Sequence, residues 1–238
     1  MKKLLLIFTA IVMTVFGAVL RAEAEDMGKL TVREQNISRI ASLTATGDLD
    51  NLEKALNKGL DDGLTINEIK EVLIQMYAYV GFPRSLNGIN TALKVTEERK
   101  AKGINDVIGP EPETVPSENK YDVGKANVDK LFGGSSAKAP YEIFAPAIGT
   151  FLKEHLFCDI FERGVLSYKD REIATVSALA SIEGVNPQLQ GHINGALNTG
   201  VTEDEAFEII EIIKQNAGKD RAKNAEKVLK SVIESRKK

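Results

Sequence analysis

The chain has 238 residues, a formal net charge of −3 with 27% charged side chains, two histidines, one cysteine and no tryptophan. A balance this close to neutral argues against a nucleic-acid partner, whose phosphates call for basic patches. One cysteine excludes an internal disulfide and a two-cysteine redox cycle within the chain, so stability has to come from packing.

Met1-Lys2-Lys3, the apolar run from Leu4 to Leu20 and the Ala22-Glu23-Ala24 pattern have the layout of a secretory signal peptide over residues 1–24. As a membrane anchor the run is marginal in length and is interrupted by Thr9, Thr14 and Gly17. The expectation is an exported protein, periplasmic or secreted, without a stable membrane span once the signal is removed.

Beyond it, nearly every periodic segment repeats at 3.6 residues and none alternates convincingly as a strand. Thr31-x-x-Glu34 caps a first helix to Thr46, and Gly47-Asp48 breaks it. A second helix covers Leu49 to Asp62 and stops at Gly63. Thr65-x-x-Glu68 opens a third, through Ile69, Val72, Leu73 and Met76 to Tyr79. Gly81-Phe82-Pro83 turns the chain into a fourth, from Arg84 to about Ala101.

Residues 102–140, with Gly109-Pro-Glu-Pro112, Pro116 and Gly133-Gly-Ser-Ser, read as a long, largely irregular linker. A single helix is expected from about Tyr141 to Phe161. Ser167-x-x-Asp170 then opens a helix carrying Ile173, Val176, Leu179 and Ala180, and Gly184 breaks it. The next helix starts after Asn186-Pro187 and closes at Gly200. Thr202-x-x-Glu205 opens another, through Ile209, Ile210 and Ile213 to Gly218, and a charged helix from Asp220 completes the chain.

The second half repeats the first. Laying Gly63 on Gly200 puts Thr65 on Thr202, Glu68 on Glu205, Leu52 on Leu189, Gly81 on Gly218 and Gly47 on Gly184. One residue less aligns Leu43 with Leu179 and Leu30 with Leu166. Matching breaks across three consecutive helices mark an internal repeat. The expected architecture is all-α, with one unit over 25–101, the linker, and a second unit over 141–238.

His192 stands out on this frame. Leu189, Ile193, Ala196 and Leu197 form an apolar stripe, and His192 points inward beside it. A neutral imidazole donates at one nitrogen and accepts at the other near physiological pH. A core histidine satisfied by its neighbours is the competing reading of that helix alone.

Two stretches of the second unit carry a resemblance. Leu166-Ser-x-x-Asp170-Arg171-Glu172, followed by Gln188-Leu-x-x-His192-x-x-x-Ala-Leu-Asn198-x-Gly200-Val-Thr, resembles the carboxymuconolactone decarboxylase family, which includes the alkyl hydroperoxidase D-like proteins. Leu156-Phe-Cys-Asp-Ile-Phe-Glu-Arg163 is similar to a Trp-Gly-Asp-x-Trp-x-Arg segment of that family. In the first unit, Asn67 to Pro83, with Gln75, Tyr79 and Gly81, resembles the family's closing motif. The second unit lacks that close, and the first has Ala55 where the second has His192. One composite site per chain is therefore expected, with His192 meeting the Gln75–Pro83 segment.

The resemblance implies tandem helical repeats, a small-molecule substrate and a homo-oligomer, a trimer of pseudo-hexameric character. It also implies two chemistries. Decarboxylase members act on a small lactone acid with loss of carbon dioxide, and carry a histidine where this chain has Gln75. On this reading His192 is the general acid or base, Glu172 orients it, and Arg171 or Arg163 holds an anionic substrate by forked hydrogen bonds. Gln75, Tyr79 and Gln188 are further candidate substrate contacts.

Peroxidase members need two cysteines shortly before the histidine, and Val185 and Gln188 stand there. A hydroperoxide-reducing, peroxiredoxin-type reading would rest on Cys158, with His155 one helical turn earlier lowering its pKa. The bland reading of Cys158 is a small buried hydrophobe. A third reading is a non-catalytic binding or scaffold protein on the same fold. No cofactor or metal is expected, since the histidines lie far apart without a ligand cluster and no glycine-rich phosphate loop follows a strand.

Overall fold

The computed structural model describes residues 29–115, 118–134 and 138–237. The signal-peptide reading of residues 1–24 lies outside them. The first unit comprises α1 (Val32–Thr46), α2 (Leu49–Asp61) and α3 (Ile66–Ala101). The second comprises α7 (Tyr168–Ala180), α8 (Asn186–Asn198), α9 (Glu203–Asn216) and α10 (Lys219–Arg236). Between them lie α4 (Lys120–Phe132), α5 (Pro140–Phe144), α6 (Pro146–Thr150), a π-helical stretch Phe151–Ile160 and a short 3₁₀ turn Phe161–Arg163. No strand forms among the described residues.

All four capping boxes form, at Thr31/Glu34, Thr65/Glu68, Ser167/Asp170 and Thr202/Glu205. Each satisfies two amides that the helix cannot pair internally. Inside α3, Gly81 adopts φ 81° and ψ 158°, and the chain reverses there. Beyond the turn the Ser85 hydroxyl donates to the Leu73 carbonyl at 2.7 Å. Gly218 repeats that backbone conformation between α9 and α10, with φ 94° and ψ 167°.

The units are not separate globules. One core runs from Leu30 to Ile233 and draws on both. Its centre is the packing of α1 on α7, where Ala41, Ala45, Ala174 and Ala178 are fully buried. Small side chains let the two backbones approach closely, and the hydroxyls of Ser38 and Ser177, and of Ser42 and Ser181, meet at 2.8 Å. Both pairs advance in the same direction, so the helices run parallel.

The side-chain contacts follow a twofold pattern. Arg33 binds Glu68 of its own unit and Asp170 of the other, each at 2.6 Å. Its counterpart Lys169 binds Glu205 of its own unit at 2.7 Å and Glu34 of the other at 2.8 Å. Arg99 reaches Asp61 at 2.9 Å, and the equivalent Arg236 reaches Asn198 at 3.0 Å. The repeat read from glycine spacing is thus a repeat of interactions.

The connecting segment differs from expectation in two ways. Residues 102–140 are irregular over most of their length but not throughout, because α4 lies among them and packs along the π-helical stretch. Their earlier part is pinned to the start of α3, where the amides of Ile66 and Asn67 donate to the carbonyls of Val107 and Ile108 at 2.9 Å. Gly109 is required there, since its φ is 85° and a Cβ would fall 2.3 Å from the Thr65 hydroxyl oxygen. The expected single helix over 141–161 is also broken. Pro146 has no amide to continue α5, and the chain restarts as α6 before widening into π geometry.

Candidate active site

His192 is 8% exposed on α8, and its Nδ1 lies 2.9 Å from Oε2 of Glu172, a buried carboxylate on the neighbouring α7. An ionised Glu172 can only accept, so a neutral imidazole paired with it carries its proton on Nδ1 and leaves a lone pair on Nε2. Nε2 has no hydrogen-bond partner among the described residues. Tyr79 of α3 and Phe132 of α4 stand edge-on to the imidazole from two directions, with centroids 5.2 and 5.3 Å away. The ring is thereby clamped by aromatics from the first unit and from the connecting segment.

The imidazole lines a cleft of about 830 Å³. Its walls come from Tyr79, Val128, Phe132, Leu152, Leu156 and Phe157, and its mouth from Tyr141, Phe144 and Ile148 on α5 and α6. Gln188 and Gly191 border it from α8. Lys153 and Glu142 are the only lysine, arginine or carboxylate side chains in the described lining, and they bind each other at 2.6 Å. The size is within the usual range for a small-molecule site, and the walls are mostly apolar with a few convergent polar groups.

The structure brings some expected residues together and separates others. His192, Glu172 and Tyr79 meet across the two units, and Gln188 borders the same space. Gln75 is buried and does not reach the cleft. Its amide nitrogen donates to the Arg171 carbonyl and the Thr175 hydroxyl at 2.8 Å, and its oxygen accepts from Arg171 Nη1 at 3.0 Å.

Arg171 is fully buried, stacked over Phe161 at 5.8 Å and bound to Glu71 at 3.2 Å. Burial pulls its pKa below the ordinary guanidinium value, and Glu71 opposes that. Arg163 binds the same Glu71 at 2.9 Å. Both arginines are committed to one buried carboxylate, so neither is offered to a substrate in the cleft.

Cys158 and His155 do not form the expected pair. Cys158 is fully buried, and burial, then the charges of Asp159 and Glu162, raise its pKa. His155 has a half-exposed side chain directed to Tyr77 and Asp159. Equal spacing on an α-helix does not translate to a π-helix, whose wider turn rotates position i+3 to another direction. A reactive thiol needs exposure and positive surroundings, and Cys158 has neither.

Two buried polar atoms near the imidazole lack partners among the described residues, the Tyr79 hydroxyl and Glu172 Oε1. Burial, then the nearby Glu172 charge, push the Tyr79 phenol well above its ordinary range, so it stays protonated as a donor.

Sequence reasoning missed Phe132, Phe157, Lys153 and Glu142. A signal for Phe132 existed in Gly124, Val128 and Leu131 at helical spacing, followed by Gly133-Gly134 as a stop. The start of α4 has no such mark, because Asn119 sits there at φ 58° and its side chain makes no cap bond. No group of three His, Cys, Asp or Glu able to hold a metal occurs among the described residues, and no described helix is long and apolar enough to cross a membrane. A second, smaller pit of about 310 Å³ on α2 and α3 carries only Lys70 as an ionisable group, and no chemistry is apparent there.

Comparison with known proteins agrees with the repeat. The model of the carboxymuconolactone decarboxylase family matches the chain twice, over residues 11–97 and 146–231, together more than half of its length. The first match begins inside the segment read as a signal peptide. No curated protein matches the chain.

Proposed function

The chain belongs to the carboxymuconolactone decarboxylase family, and from that premise we propose that His192 and Glu172 move a proton on a small organic acid or lactone held in the cleft. The observation that carries this reading is the 2.9 Å contact from His192 Nδ1 to Glu172 at the wall of a mostly apolar cavity. Glu172 holds the tautomer with a basic Nε2 and stabilises the imidazolium once Nε2 takes a proton. Two reactions use that one group. Nε2 removes a proton beside a carbonyl, leaving the electron pair in an enolate. In a decarboxylation, the carbon–carboxylate bond breaks, its electron pair stays on carbon, and the imidazolium supplies the proton that completes a new C–H bond. The apolar walls strengthen such charge interactions by excluding water.

Turnover of lactone acids in D2O tests this. Incorporation of deuterium at the carbon beside the carbonyl is expected, together with its loss in His192→Ala. Unchanged turnover in His192→Ala would remove His192 as the acid or base, and absence of turnover in the wild type would leave the non-catalytic binding reading in its place. A hydroperoxide reduction at Cys158 has no observation in its favour.

Export rests on the composition of residues 1–24 and is tested by amino-terminal sequencing of the protein from the cell envelope. Self-association is part of the same reading. Phe82, Leu86 and Leu93 are exposed along one face of α3, where the equivalent α10 carries Lys219, Lys223 and Lys230. Leu86→Glu is expected to shift the mass measured by light scattering to that of a single chain.

A further inference from the structure

Lys153 has its charge almost out of solvent, in a side chain 10% exposed, with Glu142 Oε1 at 2.6 Å and the Tyr121 ring at 5.5 Å. The Lys153–Glu142 pair lies between two spaces. On one side is the apolar cleft that His192 lines, and on the other a polar hollow of about 280 Å³ with Tyr121, Lys125, Asp129 and Lys138. Both hollows share Val128, Phe132 and Tyr141 as well as the ion pair.

We infer that Lys153 is the anchor for a substrate carboxylate, that Glu142 occupies that place in the empty protein, and that the substrate class is a monocarboxylate with a bulky alkyl or aryl body. This rests on His192 being the reacting base. Three observations support it. The two arginines expected to hold an anion are both bound to Glu71, which leaves Lys153 as the cation of the described cleft lining. A substrate with two carboxylates would find one partner and leave its second charge against Phe132, Phe157 and Leu152, a burial that costs far more than it returns. A bulky apolar body gains in those same walls, in proportion to the apolar area it buries, what a compact polar lactone cannot.

Glu142 is also poorly tied down. Apart from Glu142 itself, the helix that bears it, α5, is held by few buried contacts, and Ile143 and Phe144 stand 68% and 91% exposed. An element with so few buried contacts opens at low cost. When a ligand carboxylate takes the Lys153 ammonium, Glu142 swings to water on α5, so the buried cation is never left without a counter-charge. One ion pair replaces another.

Calorimetric titration with decanoate and decan-1-ol tests the exchange. The wild type is expected to bind decanoate about tenfold more tightly than the alcohol, the ratio a charge-assisted hydrogen bond supplies. Lys153→Met abolishes that preference while alcohol binding persists, which reports an intact cleft. Glu142→Gln removes the internal competitor and tightens decanoate binding severalfold. Equal affinities for acid and alcohol in the wild type, or weaker decanoate binding in Glu142→Gln, would overturn the inference. His192→Ala separates it from the proposed reaction. That variant keeps the acid-over-alcohol preference, whereas retained turnover in it counts against the reaction alone.

Discussion

The site around His192 and its twofold mate around Ala55 are built on equivalent helices in the same order, yet only one carries a paired histidine and carboxylate at its centre. Where the first has His192, Glu172 and Tyr79, the second has Ala55, Asn36 and Asn216. Where Arg171, braced by Gln75, holds Glu71, the mate has Gln35 and Ile212 beside Glu208. Most of the mate is satisfied by other means, though Asn216 Nδ2, like the Tyr79 hydroxyl it replaces, has no partner among the described residues. Asn36 donates to Asp62 at 2.8 Å, Gln35 donates to the Leu30 carbonyl at 3.0 Å, and Glu208 accepts from the Leu30 amide at 2.8 Å. The scaffold therefore packs without a histidine or a carboxylate at these positions. A group the fold can do without, present in one copy beside a cleft, supports the proposed proton transfer. The second difference is coverage, since α4 and the π-helical stretch wall the His192 side.

The largest effect expected from this contrast is on turnover. His192→Ala installs the residue its mate already has, so it should lower turnover by about 10²–10⁴-fold, the usual contribution of a positioned acid or base, with little change in Tm. Glu172→Gln keeps the shape and removes the charge, and should cost roughly 10- to 100-fold, since a hydrogen bond to a charged group contributes about 1.5–3 kcal/mol. A large fall in Tm in His192→Ala, measured by calorimetry, would instead make the imidazole structural.

The wall can be broken separately from the base. A Cβ at Gly124 would stand 1.8 Å from the Lys153 carbonyl oxygen. Gly124→Ala should therefore push α4 off the π-helical stretch and destabilise it by about 1–3 kcal/mol. Amide exchange should rise in α4 and the 151–160 stretch while α1 and α7 stay protected, and ligand binding should fail. Uniform loss of protection would mean that α4 belongs to the shared core.

The crossed ion pairs at the centre predict a smaller, pH-dependent effect. Burial alone would raise the pKa of Asp170, Glu34 and Glu68. Pairing with Arg33 or Lys169 and the capping bonds outweigh it, so all three lie below their ordinary values. The unfolded chain then takes up protons at higher pH than the native one. The stabilisation is complete above the ordinary carboxylate range and is lost as pH falls from about 4.5 through the native values. Arg33→Ala and Lys169→Ala should each cost about 1 kcal/mol at neutral pH, because both cations are partly exposed. Denaturant titrations should show that deficit shrinking as the pH falls towards 3. A constant deficit would assign the loss to packing.

The smallest effect belongs to Cys158. With the thiol buried and its pKa raised, Cys158→Ala should leave turnover unchanged, and the native thiol should resist aromatic disulfide reagents until the protein is unfolded. Rapid labelling of the folded protein would contradict its burial.

Much of the frame was legible in the chain. Thr31, Thr65, Ser167 and Thr202 with their acids three residues on, and Gly47, Gly81, Gly184 and Gly218 at repeated spacing, are local signals because caps and turns are satisfied within a few residues. The inward face of His192 and its absence from the first unit were legible for the same reason. The sequence by itself determined the all-α class, the tandem repeat and the candidate base.

The partners of that base were decided only by tertiary structure. Whether Arg171 faces a ligand or Glu71, whether Gln75 lines the cleft or braces Arg171, and which of Cys158 and His155 meets solvent depend on contacts between residues 70 to 100 positions apart. The π turn that parts His155 from Cys158, and the uncapped α4 that brings Phe132 onto His192, follow from packing between elements rather than from local preference. Long-range contacts leave no periodic trace in a single chain. Their satisfaction, or its failure at the Tyr79 hydroxyl and Glu172 Oε1, appears only once the helices are assembled.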